Sequence, residues 1–247
     1  MPSAQPERFK STMQTACGRP HTIDNFTSMV PWQHVETVFL DLDGTLLDLH
    51  FDNQFWREHV PLCYALQRGL EVEVAKSELF PRYQRVEGTI DWYCIDYWSR
   101  KLALDIAALK QELEHLITLH PHALKFLEAV RDAGKRLLLV TNAHAKSLAL
   151  KLDRTGLAEH FDAVICAHDL GIPKEYPGFW KCLRQQQAFL PSSTLLIDDS
   201  LAVLRAARQY GIAHLLGIYQ PDSQAPPKET EEFTVLRSFC EIMPFPV

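Results

Sequence analysis

The chain has no apolar run approaching the ~20 residues that a membrane-spanning helix needs. It has no basic excess either. Lys and Arg number 25 against 31 Asp and Glu, a net charge of −6, so broad electrostatic attraction to nucleic acid is not expected. A small anionic substrate requires only a local positive site and stays open. The six cysteines, Cys17, Cys63, Cys94, Cys166, Cys182 and Cys240, contain no C-x-x-C pair, and no secretory leader precedes them. That spacing suggests neither a zinc site nor a disulfide framework, and implies reduced thiols in a cytoplasmic protein. There is no G-x-G-x-x-G and no G-x-x-x-x-G-K-[ST], so dinucleotide and P-loop binding are unsupported, and there is no internal repeat.

What is present is a composition able to bury a core, 47% hydrophobic and 23% charged over 247 residues. That length accommodates one large domain or a core carrying a smaller one. Residues 1–30 are polar and irregular, with Pro2, Pro6, Gly18 and Pro20, and read as a flexible extension.

The organising stretch is Val38-Phe-Leu-Asp-Leu-Asp-Gly-Thr-Leu-Leu47. Its apolar start reads as a strand buried on both faces, which then stops at Asp41, Asp43 and Gly44. Further strands are expected at Arg136–Val140, Ala163–Cys166, Thr194–Ile197 and His214–Ile218, separated by helices ending at Gly134, Gly156 and Gly211, the first of them (Ala123–Ala133) with Leu124, Leu127 and Val130 inward. Strands alternating with helices give a parallel sheet, so the fold class is α/β. A short helix is expected near Phe233–Ile242.

Residues 49–119 separate the first strand from the second. So long a connection should carry its own structure, and its apolar spacing reads as helices. The expected stripes are Phe51, Phe55, Trp56 and Val60; Leu70, Val74, Leu79 and Tyr83; and Tyr93, Tyr97 and Leu104, with Pro61 and Pro81 near segment boundaries. Aromatic density peaks at Phe51–Trp56 and Trp92–Trp98, more than a small helical core needs. One or two of these rings are therefore expected to wall a ligand site.

Four groups then fall at or just after strand carboxyl ends: Asp41 with Asp43, Thr141 with Asn142, Lys174, and Asp198 with Asp199. Parallel strands bring such ends to one sheet edge, where ligands of open α/β sheets bind. In this order they resemble the four motifs of the haloacid dehalogenase-like (HAD) phosphohydrolases. The resemblance covers nearly all of residues 35–220, and an acid at position 43 matches the phosphatase branch rather than the dehalogenase branch. It implies a Rossmann-like core (31–48 and 120–247) with strand order fifth, fourth, first, second, third, and an all-helical cap (49–119). By the same resemblance Asp41 is the nucleophile and Asp43 the general acid and base, while Lys174 neutralises charge. Thr141 hydroxyl and Asn142 N–H hold phosphate oxygens. Mg²⁺ is expected on Asp41, the Asp43 carbonyl and Asp199, with Asp198 adjacent.

Further matches extend through cap and core: Trp32-Gln33, Leu47-Asp-Leu49, Phe51-Asp-Asn53, Phe55-Trp56, Asp91-Trp-Tyr-Cys94, Asp96-Tyr-Trp98, Thr141-Asn-Ala-His144 and Pro173-Lys-Glu175. These are similar to the GMP/IMP nucleotidase branch of the family and imply a purine 5′-monophosphate substrate, with Asn53 and His144 as possible contacts. Sugar-phosphate phosphatase or phosphomutase chemistry on the same core, and a non-catalytic phospho-ligand module, remain alternatives. The expected partners are a small phosphorylated substrate and neither nucleic acid nor membrane, in a monomer or small homo-oligomer.

Overall fold

In the computed structural model, residues 29–228 and 232–244 are described. The expected flexible extension therefore lies outside the described residues except for its end, where Val30 is buried with the core. Strand β1 (Thr37–Leu40) is buried along its whole length and is flanked by β2 (Arg136–Thr141) and β4 (Thr194–Ile197), both parallel to it. β3 (Ala163–Cys166) adds beyond β2, and β5 (His214–Ile218) beyond β4. The order is β3-β2-β1-β4-β5-β6, as the family resemblance implied but with one strand more.

That sixth strand, β6 (Val235–Leu236), stands where a helix was expected, followed by a 3-10 turn over Phe239–Ile242. Two residues carry no periodicity. They become a strand only because the β5 edge at Gly217 and Ile218 offers them unpaired backbone groups.

Alternation along the strands sorts the core into two layers. Val38, Leu40, Leu139 and Ile197 face α7 (Ala123–Asp132) and α8 (Ala145–Thr155). Phe39, Leu138, Val140 and Leu196 face α10 (Pro177–Gln186) and α11 (Leu201–Tyr210). On α7 the inward stripe is Ala123, Phe126, Leu127 and Val130; Leu124, expected inward, points out.

Between β1 and β2 the chain is helical: α1 (His50–Gln54), α2 (Val60–Arg68), α3 (Val72–Val86), α4 (Ile90–Tyr93), α5 (Ile95–Leu102) and α6 (Ile106–Glu112). These pack around their own apolar cluster, centred on Phe55, Tyr64, Leu79, Tyr83 and Trp98. On α3 the buried spacing is Ala75, Leu79, Tyr83, one full turn apart each time, so Val74 lies a step off the stripe and is exposed. Neither proline ends a segment. Pro81 sits inside α3, on its exposed side. Pro61 sits inside a run joining α1 to α2 through a π turn, Phe55–His59. A proline lacks its N–H and crowds the carbonyl four residues back. Widening the preceding turn to a five-residue bond, Val60 N–H to Phe55 O, relieves that crowding without breaking the helix.

Candidate active site

Register brings the acids together. Leu40 pairs with Ile197, so Asp41 and Asp198 leave neighbouring strands at one level, and Asp41 N–H donates to Ile197 O at 3.0 Å. Lys174 arrives from the other side, in the loop after α9 (Ala167–Leu170), eight residues beyond the end of β3. Its ammonium donates to Asp41 Oδ1 at 2.5 Å, Asp198 Oδ2 at 2.7 Å and Val140 O at 2.9 Å. All three donors of the ammonium are thus used, and the side chain is 2% exposed. Burial alone would lower the lysine pKa, but the two carboxylates together raise it above its ordinary value, so it stays charged.

Asn142 fixes that lysine's backbone. Its Oδ1 accepts Lys174 N–H at 3.0 Å and its Nδ2 donates to Glu175 Oε2 at 2.9 Å. Glu175 Oε1 in turn accepts from the Tyr93 hydroxyl, which belongs to the helical insertion. Thr141 Oγ1 accepts the Ala143 N–H at 3.0 Å, leaving its proton free to donate.

Asp199, the second acid after β4, keeps a carboxylate within 4.8 Å of those of Asp41 and Asp198. Desolvation first, then mutual repulsion, raises these groups: Asp41 to about 7, Asp198 to about 6 and Asp199 to about 6. Three carboxylates gathered this closely, with Lys174 bonded to only two of them, Asp41 and Asp198, and the exposed Lys228 at 3.2 Å on Asp199, offer the oxygen donors that fit a hard divalent cation. Gly44 makes this packing possible. It has φ +81, and a Cβ there would lie 2.9 Å from Asp199 Cγ. Gly44→Ala is therefore expected to cost about 1–2 kcal/mol from the backbone alone and to push Asp199 off its position. A raised Mg²⁺ requirement for activity would follow, and an unchanged Mg²⁺ titration would refute it.

The same pKa directions give a pH prediction. Without a cation the folded state holds protons on Asp41, Asp198 and Asp199 up to about pH 6–7, whereas the unfolded chain releases them near the ordinary carboxylate value. The native state thus binds more protons in that window, and stability falls as pH rises through it. Thermal melts in chelator should drop between pH 5 and 7, and the gain on adding Mg²⁺ should be larger at pH 8 than at pH 5. Equal gains would sink the assignment.

Asp43 stands apart from this group. Its Oδ1 accepts from Lys151 at 2.6 Å; Lys151 also donates to Asp52 Oδ2 at 2.6 Å, and Asp52 Oδ1 accepts from Lys110 at 2.6 Å. Lys151, on α8, is 1% exposed and Lys110, on α6, is 3% exposed. Burial raises the Asp43 carboxyl, with Lys151 opposing and Asp52 adding to the rise. Asp52 goes the other way: burial would raise it, but two lysines hold it well below the carboxylate range. Sequence reasoning missed Lys151, Asp52 and Lys110. The available signal was a lysine three positions after Leu148, on the face of α8 that turns inward.

A cavity of about 700 Å³ opens between this edge and the helical insertion. Asp43, Asp199, Ser147 and Lys151 line one side, and half-buried Trp56 and Trp92 with Tyr83 line the other. Phe51 and Phe55 are core residues instead. Asn53 and His144 both line the cavity, but each has another contact. Asn53 Nδ2 donates to Asp222 Oδ2 at 2.6 Å, and His144 Nδ1 accepts Lys146 N–H at 3.3 Å as the α8 cap.

Sheet and edge define an open α/β hydrolase of Rossmann-like topology. The chain belongs to the haloacid dehalogenase-like hydrolase family, whose model matches residues 35–211. It is 40% identical over 215 residues, 87% of this chain and 97% of the relative, to GMP/IMP nucleotidase YrfG of Escherichia coli K12. It is 24% identical over 218 residues, covering 85% of this chain and 96% of the relative, to a phosphoglycolate phosphatase of Vibrio vulnificus. The structure of a HAD phosphatase from Thermococcus onnurineus superposes with a TM-score of 0.71 at 22% identity, over 84% of this chain and 96% of that one. Among the described residues no helix is long and apolar enough to cross a membrane.

Proposed function

We propose that the chain is a Mg²⁺-dependent 5′-nucleotidase acting on purine monophosphates, GMP and IMP. The observation that carries this reading is one cavity with Asp43 and Asp199 on one side and aromatic rings on the other. Its volume of about 700 Å³ suits one small ligand. The 40% identity to a GMP/IMP nucleotidase supports the choice of base.

In this reading Asp41 attacks phosphorus as the ester P–O bond breaks, giving an aspartyl-phosphate. Asp43 gives its proton to the departing 5′-oxygen, a role suited to a carboxyl held above its ordinary pKa by burial. It then takes a proton from water, whose oxygen attacks the same phosphorus and releases inorganic phosphate and Asp41. Lys174 orients Asp41 and opposes the rise that burial imposes on its carboxyl, and Thr141 hydroxyl with Asn142 N–H hold phosphoryl oxygens. Asp41, the Asp43 carbonyl and Asp199 would hold the cation, which supplies charge neutralisation to the phosphoryl oxygens. Asp199 is the better direct ligand than Asp198, because both Asp198 oxygens are already committed, to Lys174 and to Ser200 N–H.

Trp56 and Trp92 offer faces for a flat base, with Arg57, Gln84 and Glu87 also lining the cavity as donors and acceptors for the oxo-purine edge. Asn53 and His144 also line the cavity and are assigned to the sugar side. Residues 49–119 serve as a cap on a core of 31–48 and 120–247, in a cytoplasmic monomer or small homo-oligomer. The test is phosphate release with Mg²⁺ from GMP, IMP, AMP, pyrimidine monophosphates and sugar phosphates. GMP and IMP should lead, and Trp56→Ala should raise KM more than it lowers kcat. Preference for sugar phosphates would overturn the substrate, and no release from any ester would overturn the reaction.

A further inference from the structure

A second cluster of ligating side chains lies beside the cavity, and of its members only His144 also lines the cavity. Cys94 closes α4 and caps α5 in the helical insertion, His144 follows β2, and His168 lies on α9 directly after β3. One ligand atom from each lies within 4.8 Å of the other two. Parallel pairing of Thr141 with Cys166 is what brings the two histidines together, with ring centroids 5.0 Å apart and edge-to-face.

The polar atoms of the cluster have few competing partners. His168 Nε2 is buried and has no hydrogen-bond partner among the described residues. A buried ring nitrogen without a partner normally costs about 1–3 kcal/mol, so an orphan on a ring packed beside other ligating side chains points to a missing partner. His144 is loosely held at both nitrogens, by Lys146 N–H at 3.3 Å and by Asp96 Oδ2 at 3.7 Å from Nε2. Cys94 Sγ accepts Tyr97 N–H at 3.3 Å at the start of α5 and has no other hydrogen-bond partner among the described residues.

We propose that Cys94, His144 and His168 bind a borderline-soft divalent cation of the Zn²⁺ type. One thiolate and two imidazoles select such a metal over Mg²⁺, which prefers oxygen, and three protein ligands leave a fourth position open. Because Cys94 belongs to the insertion and both histidines to the core, the ion would fasten one to the other at the edge of the cavity. This site shares no ligand with Asp41, Asp198 and Asp199, so it stands apart from the phosphoryl-transfer chemistry, and a metal on His144 would replace the sugar contact assigned to that residue.

The test is to saturate the full chain with Mg²⁺, titrate Co²⁺ and record the absorption spectrum. One equivalent should give a thiolate-to-cobalt charge-transfer band with the intense visible bands of four-coordinate Co²⁺, and Zn²⁺ should displace it stoichiometrically. The all-oxygen acid site cannot give the charge-transfer band. Cys94→Ser should abolish it and His168→Ala should weaken or remove it, with circular dichroism and Mg²⁺-dependent phosphate release retained. X-ray absorption of the wild-type Zn²⁺ form, which needs no variant, should show one sulfur at about 2.3 Å and nitrogen at about 2.0–2.1 Å. No charge-transfer band, a band that survives Cys94→Ser, or a zinc shell of oxygen alone would each overturn the proposal.

Discussion

Asp41→Asn should lower phosphate release by roughly 10⁴-fold or more while leaving the protein folded, a loss on the scale of removing a covalent nucleophile. The amide keeps the shape of the side chain and can still accept from Lys174 through its oxygen, so packing at the end of β1 is preserved. What it loses is the charge that, in the proposed mechanism, attacks phosphorus. Removing one of the crowded carboxylates relieves repulsion on Asp198, and so the variant in chelator should melt no lower than the wild type at pH 8. Inactivity with retained or raised thermal stability is the expected pair of results. Substantial turnover in the variant would eliminate Asp41 as nucleophile and, with it, the aspartyl-phosphate.

Lys151→Met should destabilise the protein by about 3–5 kcal/mol, because truncating one member of a buried ion network leaves its partners uncompensated. Asp43 loses the cation at 2.6 Å, and Asp52 is left with Lys110 alone. The same change should be visible in catalysis. Lys151 lowers the Asp43 pKa and Asp52 raises it, so the two partners push the proposed general acid in opposite directions. Lys151→Met should move the alkaline limb of the pH–rate profile to higher pH, and Asp52→Asn should move it to lower pH. Both variants weaken the network and both should melt earlier, so a purely structural role predicts no difference in sign. Limbs that shift together, or not at all, would remove Lys151 from its part in positioning and tuning Asp43. Asp52 and Lys110 lie on the helical insertion, whereas Asp43 and Lys151 lie on the core, so this network also ties the general acid to the placement of the insertion.

Much of the fold was legible because its elements are long or strongly patterned. Val38–Leu40, Leu137–Val140 and Leu195–Ile197 are apolar on both faces, as central parallel strands must be. The acids at their ends stand out because a carboxylate directly after such a run has no packing role. The stripes on α3 and α7 were placed a residue off at Val74 and Leu124, since one wrong position turns a side chain by about 100° on a helix. The sixth strand and the π turn before Pro61 were not legible at all. Each is a local response to a neighbour, to the open edge of β5 in one case and to a proline ring in the other.

By itself the sequence determined the α/β class, the parallel core strands, the helical character of residues 49–119 and the four motif positions that meet at one sheet edge. Only the tertiary structure decided which charges pair. Lys151 with Asp43, Lys110 with Asp52, Tyr93 with Glu175, and Cys94 with His144 and His168 are separated by 108, 58, 82, and as many as 74 residues. Periodicity encodes which face of an element turns inward. It carries no information on which distant side chain waits there, because that depends on strand register and on where the insertion docks.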